Sequence, residues 1–492
     1  MEQSIDLNIK NLNKLSERIA VPAYKRDQVR VGMVHIGIGG FHRAHQAYFV
    51  DNLLAQGLAS EWGICGIALL ESDKRIYDVL SKQDGLYTLM VPDTEGDLSA
   101  RVIGSIIELL YAPGDPSSVV AKMADESIRL ITLTITEGGY NFDSEGNFNW
   151  ENEMVLWDLQ NPDSPKTIFG YLTAALKSRY LKGGGELTIQ SCDNIEHNGN
   201  VLRCMLGAYI SKAAPEISHW VDANVAFPNS MVDRITPATT PTLVETLEKD
   251  FNVQDGWPVI CESYIQWIIE DSYAGRRPEW ERAGAQMVAD VTPYEKMKIR
   301  LLNGGHTLVG LMGDLLGYTY IHESIADPVV AELLKFYMDT EVTSTLDSVP
   351  GVNLEQYKAK LVERFKNKFI KDEVARIISG SSDKFPKFIL PVIADRLKCE
   401  QPVRIGALIV AAWYMYLVKR LSDGSNIQDE QADTLLQQVK QAEKQGDPSI
   451  FLNQVSIFGN LGEESVFKEC FLTYVMKLPH INLKIWVEAE LN

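Results

Sequence analysis

The sequence VHIGIGGFHRAH, residues 34–45, joins an apolar run at residues 31–38 to a helix-forming segment through three closely spaced glycines. Glycines at a strand-to-helix turn let the backbone approach a pyrophosphate, and the helix N-terminus that follows attracts the anion. The predicted dinucleotide site consists of Gly37, Ile38, Gly39, Gly40, Phe41 and His42. The alternative is a plain tight turn, because a histidine occupies the position of the third glycine in the usual pattern.

Acidic residues follow the second apolar run, residues 62–70. Glu71 and Asp73 stand where an acid at the end of the second strand accepts the ribose hydroxyls of NAD and repels the 2′-phosphate of NADP. We therefore expect NAD as the cofactor. A solvated charged loop is the alternative interpretation, and the neighbouring Lys74 and Arg75 leave NADP open.

Strand-like and helix-like segments alternate through the first half of the chain. Further apolar runs lie at residues 128–135 and 186–191, and helix-forming segments such as residues 44–55 and 166–177 separate the runs. This alternation predicts βαβ units and a parallel sheet. Residues 1–290 are therefore expected to form an α/β domain.

The pattern changes to successive helices near residue 290. Thr292-Pro293 and Asp327-Pro328 each place a capping side chain before a proline that suits the first helical position. Convincing strands are scarce beyond Val291. We predict a mostly α-helical domain over residues 291–492.

Composition excludes several classes of partner. Of the 492 residues, 45% are hydrophobic and 23% are charged, as in ordinary globular proteins. The net charge of −19 repels phosphate, so neither nucleic acid nor an anionic membrane is expected as a partner. Six scattered cysteines without a CxxC pair indicate buried thiols in a reducing compartment rather than a disulfide framework, and no secretory signal or apolar run of about 20 residues is visible. These features predict a cytoplasmic protein.

The segment TPYEKMKIRLLNGGH, residues 292–306, places three polar side chains at helical spacing. At about 100° per residue, Lys298, Asn303 and His306 fall within an arc of roughly 140° on a regular α-helix. A lysine whose pKa is lowered by burial and a nearby cation can remove a hydroxyl proton, while an amide stabilises the developing alkoxide. On the alternative interpretation, Lys298 lies on a solvated helix face and Asn303 is a helix C-cap.

Two histidines near the glycine turn, His42 and His45, are three residues apart and could share a helix face. That spacing suits a metal, but neither a cysteine nor a carboxylate cluster accompanies them. A helix-packing role is therefore expected, and no metal site is predicted.

Six ordered motifs resemble those of the polyol-specific long-chain dehydrogenases and reductases. They are GIGGFHRAHQAY (residues 37–48), TITEGGY (134–140), SCDN (191–194), FPNSMVDRITP (227–237), TPYEKMKIRLLNGGH (292–306) and SGSSDKFPKF (379–388). The resemblance implies a Rossmann-type NAD-binding N-terminal domain and a mostly α-helical C-terminal domain. It further implies a site in the cleft between them and a reaction without a metal.

The resemblance also implies catalytic roles for individual residues. Lys298 would be the general base, and Asn194 and Asn303 would hold the reacting oxygen. His306 would bind neighbouring hydroxyls. Asn194 follows a predicted strand, which is where ligand sites of open α/β sheets gather.

Three further residues match family positions that bind the rest of the polyol: Asp233, Arg376 and Lys384. A carboxylate, a guanidinium and an amine are suitable partners for many hydroxyls. Considered alone, Asp233 would pair with Arg234, and the two cations would lie in a solvated basic loop.

The resemblance implies hydride transfer between NAD and a polyol/ketose pair, with mannitol and fructose as the expected pair and a monomer as the expected assembly. Related enzymes reduce fructuronate or oxidise arabinitol, and Arg376, Lys384 and Lys387 are cations that could bind a carboxylate. A sensor that binds NAD without catalysis is a further alternative.

Overall fold

The computed structural model describes residues 4–93, 96–143 and 145–478. The chain divides into two compact units, Met1–Thr292 and Pro293–Asn492. The boundary predicted from the sequence, after residue 290, lies close to this division.

Six parallel strands form the main sheet of the first unit. They are β1 (Val31–Ile36), β2 (Gly63–Ala68), β3 (Ile106–Tyr111), β4 (Leu130–Leu133), β5 (Leu187–Ser191) and β6 (Val225–Ala226). Their order in the sheet is β3-β2-β1-β4-β5-β6, and every neighbouring pair is parallel. Along the chain, β2 and β3 are added on one side of β1, and the chain then crosses to β4 on the other side. The crevice at this reversal is where open α/β sheets bind their ligands.

Alternating side chains of the strands enter two hydrophobic clusters, one on each face of the sheet. Val34 and Ile36 belong to one cluster, whereas Met33 belongs to the other. Because successive side chains of a strand point to opposite faces, this division shows that both faces are covered. Burial on both faces explains why the strands are continuous apolar runs in the sequence.

Helices and smaller sheets complete the first unit. Its α-helices are Leu12–Leu15, Gly40–Ala44, Gln46–Ala55, Lys74–Lys82, Pro116–Met123, Glu153–Gln160, Ile168–Leu181, Asn198–Ala213, Ser218–Asn224 and Pro241–Phe251. Its other strands are Ile5–Asp6, Tyr87–Pro92, Leu98–Ile103, Ser230–Asp233, Val253–Gln254, Val259–Ile260, Gln266–Glu270 and Gln286–Val288. The prediction of a helix over residues 44–55 is wrong in one respect. The helix is interrupted at His45, where the backbone leaves the helical region with φ −119° and ψ −90°.

The second unit is helical. A continuous helical stretch comprises Thr292–Lys298, the π-helical Ile299–Asn303 and Gly304–Leu316. The following α-helices are Ile321–Ala326, Pro328–Phe336, Leu354–Phe365, Val374–Ile378, Ser381–Phe388, Leu390–Lys398, Arg404–Asp423, Ala432–Gln445, Val455–Phe458 and Ser465–Lys477, and Tyr337–Val342 is π-helical. Asp327 caps the helix that Pro328 opens, as predicted, by accepting a hydrogen bond from the Val329 amide. The predicted fold class is confirmed.

The helix Arg404–Asp423 is long and apolar enough, by length and composition, to cross a membrane. However, 67% of its most apolar window is buried inside the structure. Trp413, at the middle of this helix, is fully buried and stacks on Phe385 with ring centroids 4.2 Å apart. The helix therefore has the features of a core helix.

A buried carboxylate caps the start of this core helix. Glu341 is 2% exposed, and its two oxygens accept hydrogen bonds from the amides of Ile405 and Gly406 at 2.7 and 2.9 Å. The first amides of a helix have no partner within the helix, and a negative charge there is favourable. Glu341 thus joins the core helix to the π-helical segment Tyr337–Val342.

The Glu341→Gln variant is expected to lower the free energy of unfolding by about 1–3 kcal/mol, because the amide group leaves one buried N–H without an acceptor. Urea unfolding of the full chain measures this loss. The exposed Glu332 lies in the preceding helix, and Glu332→Gln is the matched control. We expect the control to stay within about 0.5 kcal/mol of the wild type. Equal effects of the two substitutions would contradict the capping role.

Candidate active site

The glycine turn leaves room for a ligand beside its backbone. Gly37 has φ +99°, and a Cβ atom there would lie 2.1 Å from the Thr134 carbonyl oxygen, so packing alone requires glycine. A Cβ at Gly39 would meet no atom within 4 Å, and one at Gly40 would approach only the Thr236 methyl group, at 3.7 Å. The protein's own packing therefore does not require glycine at these two positions, whereas close approach of a dinucleotide would.

The buried side chain of His35 stabilises this turn through hydrogen bonds. The His35 ring lies 2.7 Å from the Thr132 hydroxyl through Nδ1 and 2.9 Å from the Thr134 hydroxyl through Nε2. The Thr134 hydroxyl donates its proton to the Gly37 carbonyl, at 2.9 Å. Because a hydroxyl has one proton, the Nε2–H of His35 must donate to Thr134. The resulting chain of hydrogen bonds fixes the carbonyl of the glycine turn.

The other predicted residues of the turn are mostly enclosed. His42 is 1% exposed and stacks on His35 with ring centroids 3.4 Å apart, and Ile38 is also buried. Phe41 is half-buried and stacks on His45. His45 is buried, and its Nε2 lies 3.0 Å from the Gln266 carbonyl. The histidines thus pack inside the unit, and among the described residues no group of three His, Cys, Asp or Glu side chains could hold a metal ion.

The two predicted acids after β2 differ in their surroundings. Both lie in the 3-10 helix Glu71–Asp73, where Asp73 accepts a hydrogen bond from the Leu70 amide at 3.0 Å. Glu71 is exposed. Of the neighbouring cations, Lys74 pairs with Asp78, and Arg75 lies over the Trp257 ring at 5.0 Å.

The loop after β5 carries Asn194, which is exposed. The preceding residue, Asp193, is buried and accepts hydrogen bonds from the amides of Ile135 and Thr136, in the loop that follows β4. Asp193 was not among the predicted site residues, although it directly precedes Asn194 in the SCDN motif. Its role depends on pairing with another strand's loop, which no local pattern indicates.

Asp233 ends the strand Ser230–Asp233 and is 4% exposed. At the start of that strand, the Ser230 hydroxyl donates to the carbonyl of Ser191, at the end of β5, at 2.7 Å. The elements that carry Asn194 and Asp233 are therefore joined directly by a hydrogen bond. Arg234, the alternative partner of Asp233, donates to the carbonyls of Glu262 and Ala44.

Lys298 is 6% exposed, so the interpretation of a solvated helix face is wrong. It immediately precedes the π-helical segment that ends at Asn303. A π turn bonds each residue to the fifth one along, so residues five apart lie on nearly the same face, whereas a regular α-helix would separate them by about 140°. The wider turn brings Lys298 and Asn303 to one side of the helix. Because the helix continues through Gly304–Leu316, the C-cap interpretation of Asn303 is also wrong.

His306 is held between an aromatic ring and a carboxylate. Its ring stacks on Phe365 with centroids 4.5 Å apart, and its Nε2 lies 3.3 Å from Asp372 Oδ2. Burial lowers the pKa of His306, and the neighbouring Asp372 opposes this only in part. The imidazole is therefore neutral at pH 7. Asp372 was not among the predicted site residues. It is a partner of Arg376 as well, because Arg376 donates to its other oxygen through two nitrogens, at 2.8 and 2.6 Å.

The two cations predicted to bind substrate are each held by a neighbouring element. Arg376 is 53% exposed and paired with Asp372. Lys384 donates to the Ile377 carbonyl at 2.8 Å, near the end of the helix Val374–Ile378, so it stabilises the C-terminus of the helix that carries Arg376. These contacts place both residues in defined positions, and the solvated-loop interpretation does not describe them.

Two features define the chain as a dinucleotide-dependent dehydrogenase. They are the parallel sheet with its open glycine turn and the helix that carries the buried Lys298. The family model described as "Mannitol dehydrogenase Rossmann domain" matches residues 31–282, and the model described as "Mannitol dehydrogenase C-terminal domain" matches residues 290–478. The chain belongs to the mannitol dehydrogenase family, and the predicted family is confirmed.

Relatives resemble the chain over nearly its whole length. Mannitol 2-dehydrogenase of Phaeosphaeria nodorum is 41% identical over 93% of this chain and 80% of that protein, and the Aspergillus clavatus enzyme of the same name is 39% identical over 93% of both. The solved structure of Pseudomonas fluorescens mannitol 2-dehydrogenase, a ternary complex with NAD and D-mannitol, is 40% identical, covers 99% of both chains and superposes with a TM-score of 0.90. A substrate-free D-sorbitol dehydrogenase is 33% identical over 97% of this chain and 99% of that chain, with a TM-score of 0.87.

The buried histidines predict a loss of stability in acid. Burial lowers the pKa of His35 to about 3 and of His45 to about 4, and lowers that of His42 well below its usual value. The rings of His35 and His45 stay neutral in the folded chain at pH 5, whereas the unfolded chain binds protons below about pH 6.5. Each of these two is therefore expected to lower the free energy of unfolding by about 1.4 kcal/mol per pH unit below that point, and His42 is expected to act in the same direction.

Calorimetric Tm values at pH 7.5 and 5.5 check this expectation by comparison of variants. The His42→Leu variant removes one titrating ring and is expected to lose less stability on acidification than the wild type. His219 is exposed, so His219→Leu is the matched control and should retain the pH dependence of the wild type. The same pH dependence in all three proteins would rule out the buried rings as its cause.

Proposed function

We propose that the chain is an NAD-dependent mannitol 2-dehydrogenase that interconverts mannitol and fructose. The observation that carries this proposal is the helix on which the buried Lys298 and the half-buried Asn303 lie one π turn apart. A buried amine beside an amide donor is the combination that proton removal from a hydroxyl needs. The relatives named mannitol 2-dehydrogenase support the choice of substrate.

The glycine turn fits NAD. The open space beside Gly39 and Gly40 allows the pyrophosphate to approach their backbone, and the exposed Glu71 is the acid that would accept the ribose hydroxyls. Lys74 and Arg75 have partners of their own, which favours NAD over NADP. When bound, NAD supplies the acceptor of the hydride. The predicted cofactor is also the one in the Pseudomonas fluorescens complex.

The side chains of the second unit supply the proton transfer. Lys298 takes the proton from the reacting hydroxyl, and in the reverse direction it returns the proton to the ketose oxygen. Asn303 and Asn194 donate hydrogen bonds to that oxygen as negative charge develops on it. Because an amine serves as the base and two amides stabilise the charge, this mechanism needs no metal.

The remaining polar groups hold the polyol. A neutral His306 can accept a hydrogen bond from a neighbouring hydroxyl through Nδ1 while its Nε2 faces Asp372. Asp233, Arg376 and Lys384 bind hydroxyls farther from the reacting carbon. The first unit accordingly binds the cofactor, and the second supplies the base and most of the substrate contacts.

We propose that the enzyme works as a monomer in the cytoplasm. Three of the six cysteines, Cys65, Cys192 and Cys261, are buried thiols, as expected in a reducing compartment, whereas Cys204 and Cys399 are exposed, so the prediction of buried thiols is wrong for these two. The net charge of −19 is unfavourable for binding to nucleic acid or to an anionic membrane.

Lys298→Ala is expected to lower kcat for mannitol oxidation by about 10²-fold or more at neutral pH, because the general base is lost. Initial rates of NADH formation, with a metal chelator present throughout, measure this effect. Lys296 is the matched control on the same helix, since it forms a surface ion pair with Asp347 at 3.0 Å. Lys296→Ala should retain near-normal turnover. If Lys298→Ala also retained it, the base would have to be sought elsewhere, first at His306.

The same assay distinguishes the substrate alternatives. Mannitol is expected to give the highest kcat/KM among mannitol, sorbitol and arabinitol, and fructuronate is tested with NADH in the reverse direction. A preference for fructuronate would move the function to a uronate reductase. Measurable NAD binding without turnover of any of the four compounds would indicate a sensor.

Gly39→Ala is expected to raise the KM for NAD by about 10-fold or more while leaving the fold intact. Its Cβ would meet no protein atom but would occupy the space that the pyrophosphate needs. Gly207→Ala, in the helix Asn198–Ala213, is the matched control, because its Cβ also meets nothing within 4 Å. Kinetics with varied NAD, together with thermal unfolding, measure both properties. An unchanged KM in Gly39→Ala would place the cofactor away from this turn.

A further inference from the structure

The carboxylate of Asp193 joins two loops at the carboxyl end of the sheet. Its Oδ2 accepts hydrogen bonds from the Ile135 amide at 3.0 Å and from the Tyr140 hydroxyl at 2.9 Å, and its Oδ1 accepts one from the Thr136 amide at 2.9 Å. Ile135 and Thr136 follow β4, whereas Asp193 follows β5, the neighbouring parallel strand. The carboxylate thus connects the chain beyond one strand to the chain beyond the next.

One of these loops has a strained backbone. Thr136 has φ +61° and ψ 171°, a region that β-branched residues rarely occupy. Such a conformation persists only where the surroundings impose it, and strained residues concentrate at functional sites. The hydrogen bond from the Thr136 amide to Asp193 is one of the contacts that impose it.

The backbone of Asp193 is fixed as well. Its amide donates to the Ser191 hydroxyl at 3.1 Å, and its carbonyl accepts a hydrogen bond from the Asn198 side chain at 3.0 Å. The same Asn198 amide group donates to the carbonyl of Ser230, which starts the strand that ends at Asp233. Asn194, the next residue after Asp193, is exposed. The exposed donor Asn194 therefore directly follows Asp193, whose amide, carboxylate and carbonyl are all hydrogen-bonded.

We propose that Asp193 is a positioning residue for the reaction and acts through Asn194. This inference rests on the proposed role of Asn194 in holding the reacting oxygen. A hydrogen-bond donor stabilises developing charge only if it is already in place, and a displacement of about 1 Å can cost about 10²-fold in rate. Asp193 supplies that placement by holding the Asn194 loop against the loop after β4.

A second buried aspartate in the same unit provides a matched control. Asp158 is 1% exposed and accepts hydrogen bonds from the amides of Lys166 and Thr167 at 2.7 and 2.9 Å, and from the Thr167 hydroxyl at 2.6 Å. Its carboxylate therefore accepts the same set of hydrogen bonds as that of Asp193, two from backbone amides and one from a hydroxyl. Asp158 joins the helix Glu153–Gln160 to the start of the helix Ile168–Leu181, and it has no link to Asn194 in the proposal.

The experiment is a double-mutant cycle on the full-length enzyme with mannitol and NAD. Asp193→Asn is expected to lower kcat by about 10- to 100-fold, and Asn194→Ala by about 100-fold. The double variant should match Asn194→Ala within about 2-fold, because a positioning group has no effect once the group it positions is gone. Asp158→Asn should lower the Tm while leaving the kcat of the folded enzyme near the wild-type value.

The possible outcomes lead to different conclusions. If the two effects multiply in the double variant, Asp193 acts independently of Asn194 and the inference is overturned. If Asn194→Ala alone retains full activity, the proposed role of Asn194 fails, and this inference fails with it. If Asp193→Asn does not fold, Tyr140→Phe replaces it in the cycle, because this variant removes one hydrogen-bond donor to the Asp193 carboxylate. Its smaller loss of kcat should likewise vanish in the Asn194→Ala background, and persistence of the loss there would overturn the inference.

Discussion

The close approach of Gly37 to the Thr134 carbonyl sets the geometry at the centre of the first unit. The two residues follow neighbouring parallel strands, β1 and β4, at the point where the order of the sheet reverses. Since a Cβ at Gly37 would lie 2.1 Å from that oxygen, the chain can turn there only as glycine, with φ +99°. The Thr134 hydroxyl then accepts a hydrogen bond from His35 and donates to Gly37, so one residue both limits the space of the turn and fixes its carbonyl. The open backbone of Gly39 depends on this arrangement.

The architecture could be predicted from local sequence patterns, because strand burial and helix capping each leave a periodic or local trace in the sequence. The apolar runs predicted the buried strands, and the Asp327-Pro328 pair predicted a helix start through a single side-chain cap. The motif resemblance supplied the candidate residues. Lys298 was also identified by helical spacing, and its burial supports the prediction. The assumption of a regular α-helix over residues 292–306 was wrong. The π turn at Ile299–Asn303 could not be predicted, because the spacing of the polar residues does not indicate it.

The residues that were missed depend on long-range pairs. Asp193 bonds to a loop almost sixty positions earlier, and Asp372, which precedes the helix Val374–Ile378, lies 3.3 Å from His306 Nε2. Neither pairing leaves a periodic trace, because each depends on how separate elements pack. Both residues are buried carboxylates that interact with polar groups of other segments of the chain. The supporting groups of a site are therefore harder to find from one sequence than the reactive groups, which a motif records directly.

The π turn also has a consequence for chain length. A turn closed at the fifth residue holds one residue more than the α turn that it replaces. Everything beyond Asn303, including His306, is therefore offset by one position relative to the helix that precedes Lys298. Deletion of one residue within Ile299–Asn303 would restore an unbroken α-helix and rotate its two halves relative to each other by about 100°. At this point the number of residues is constrained as strictly as their identity, so a single-residue gap in an alignment of relatives here would mark a change of site geometry rather than neutral variation.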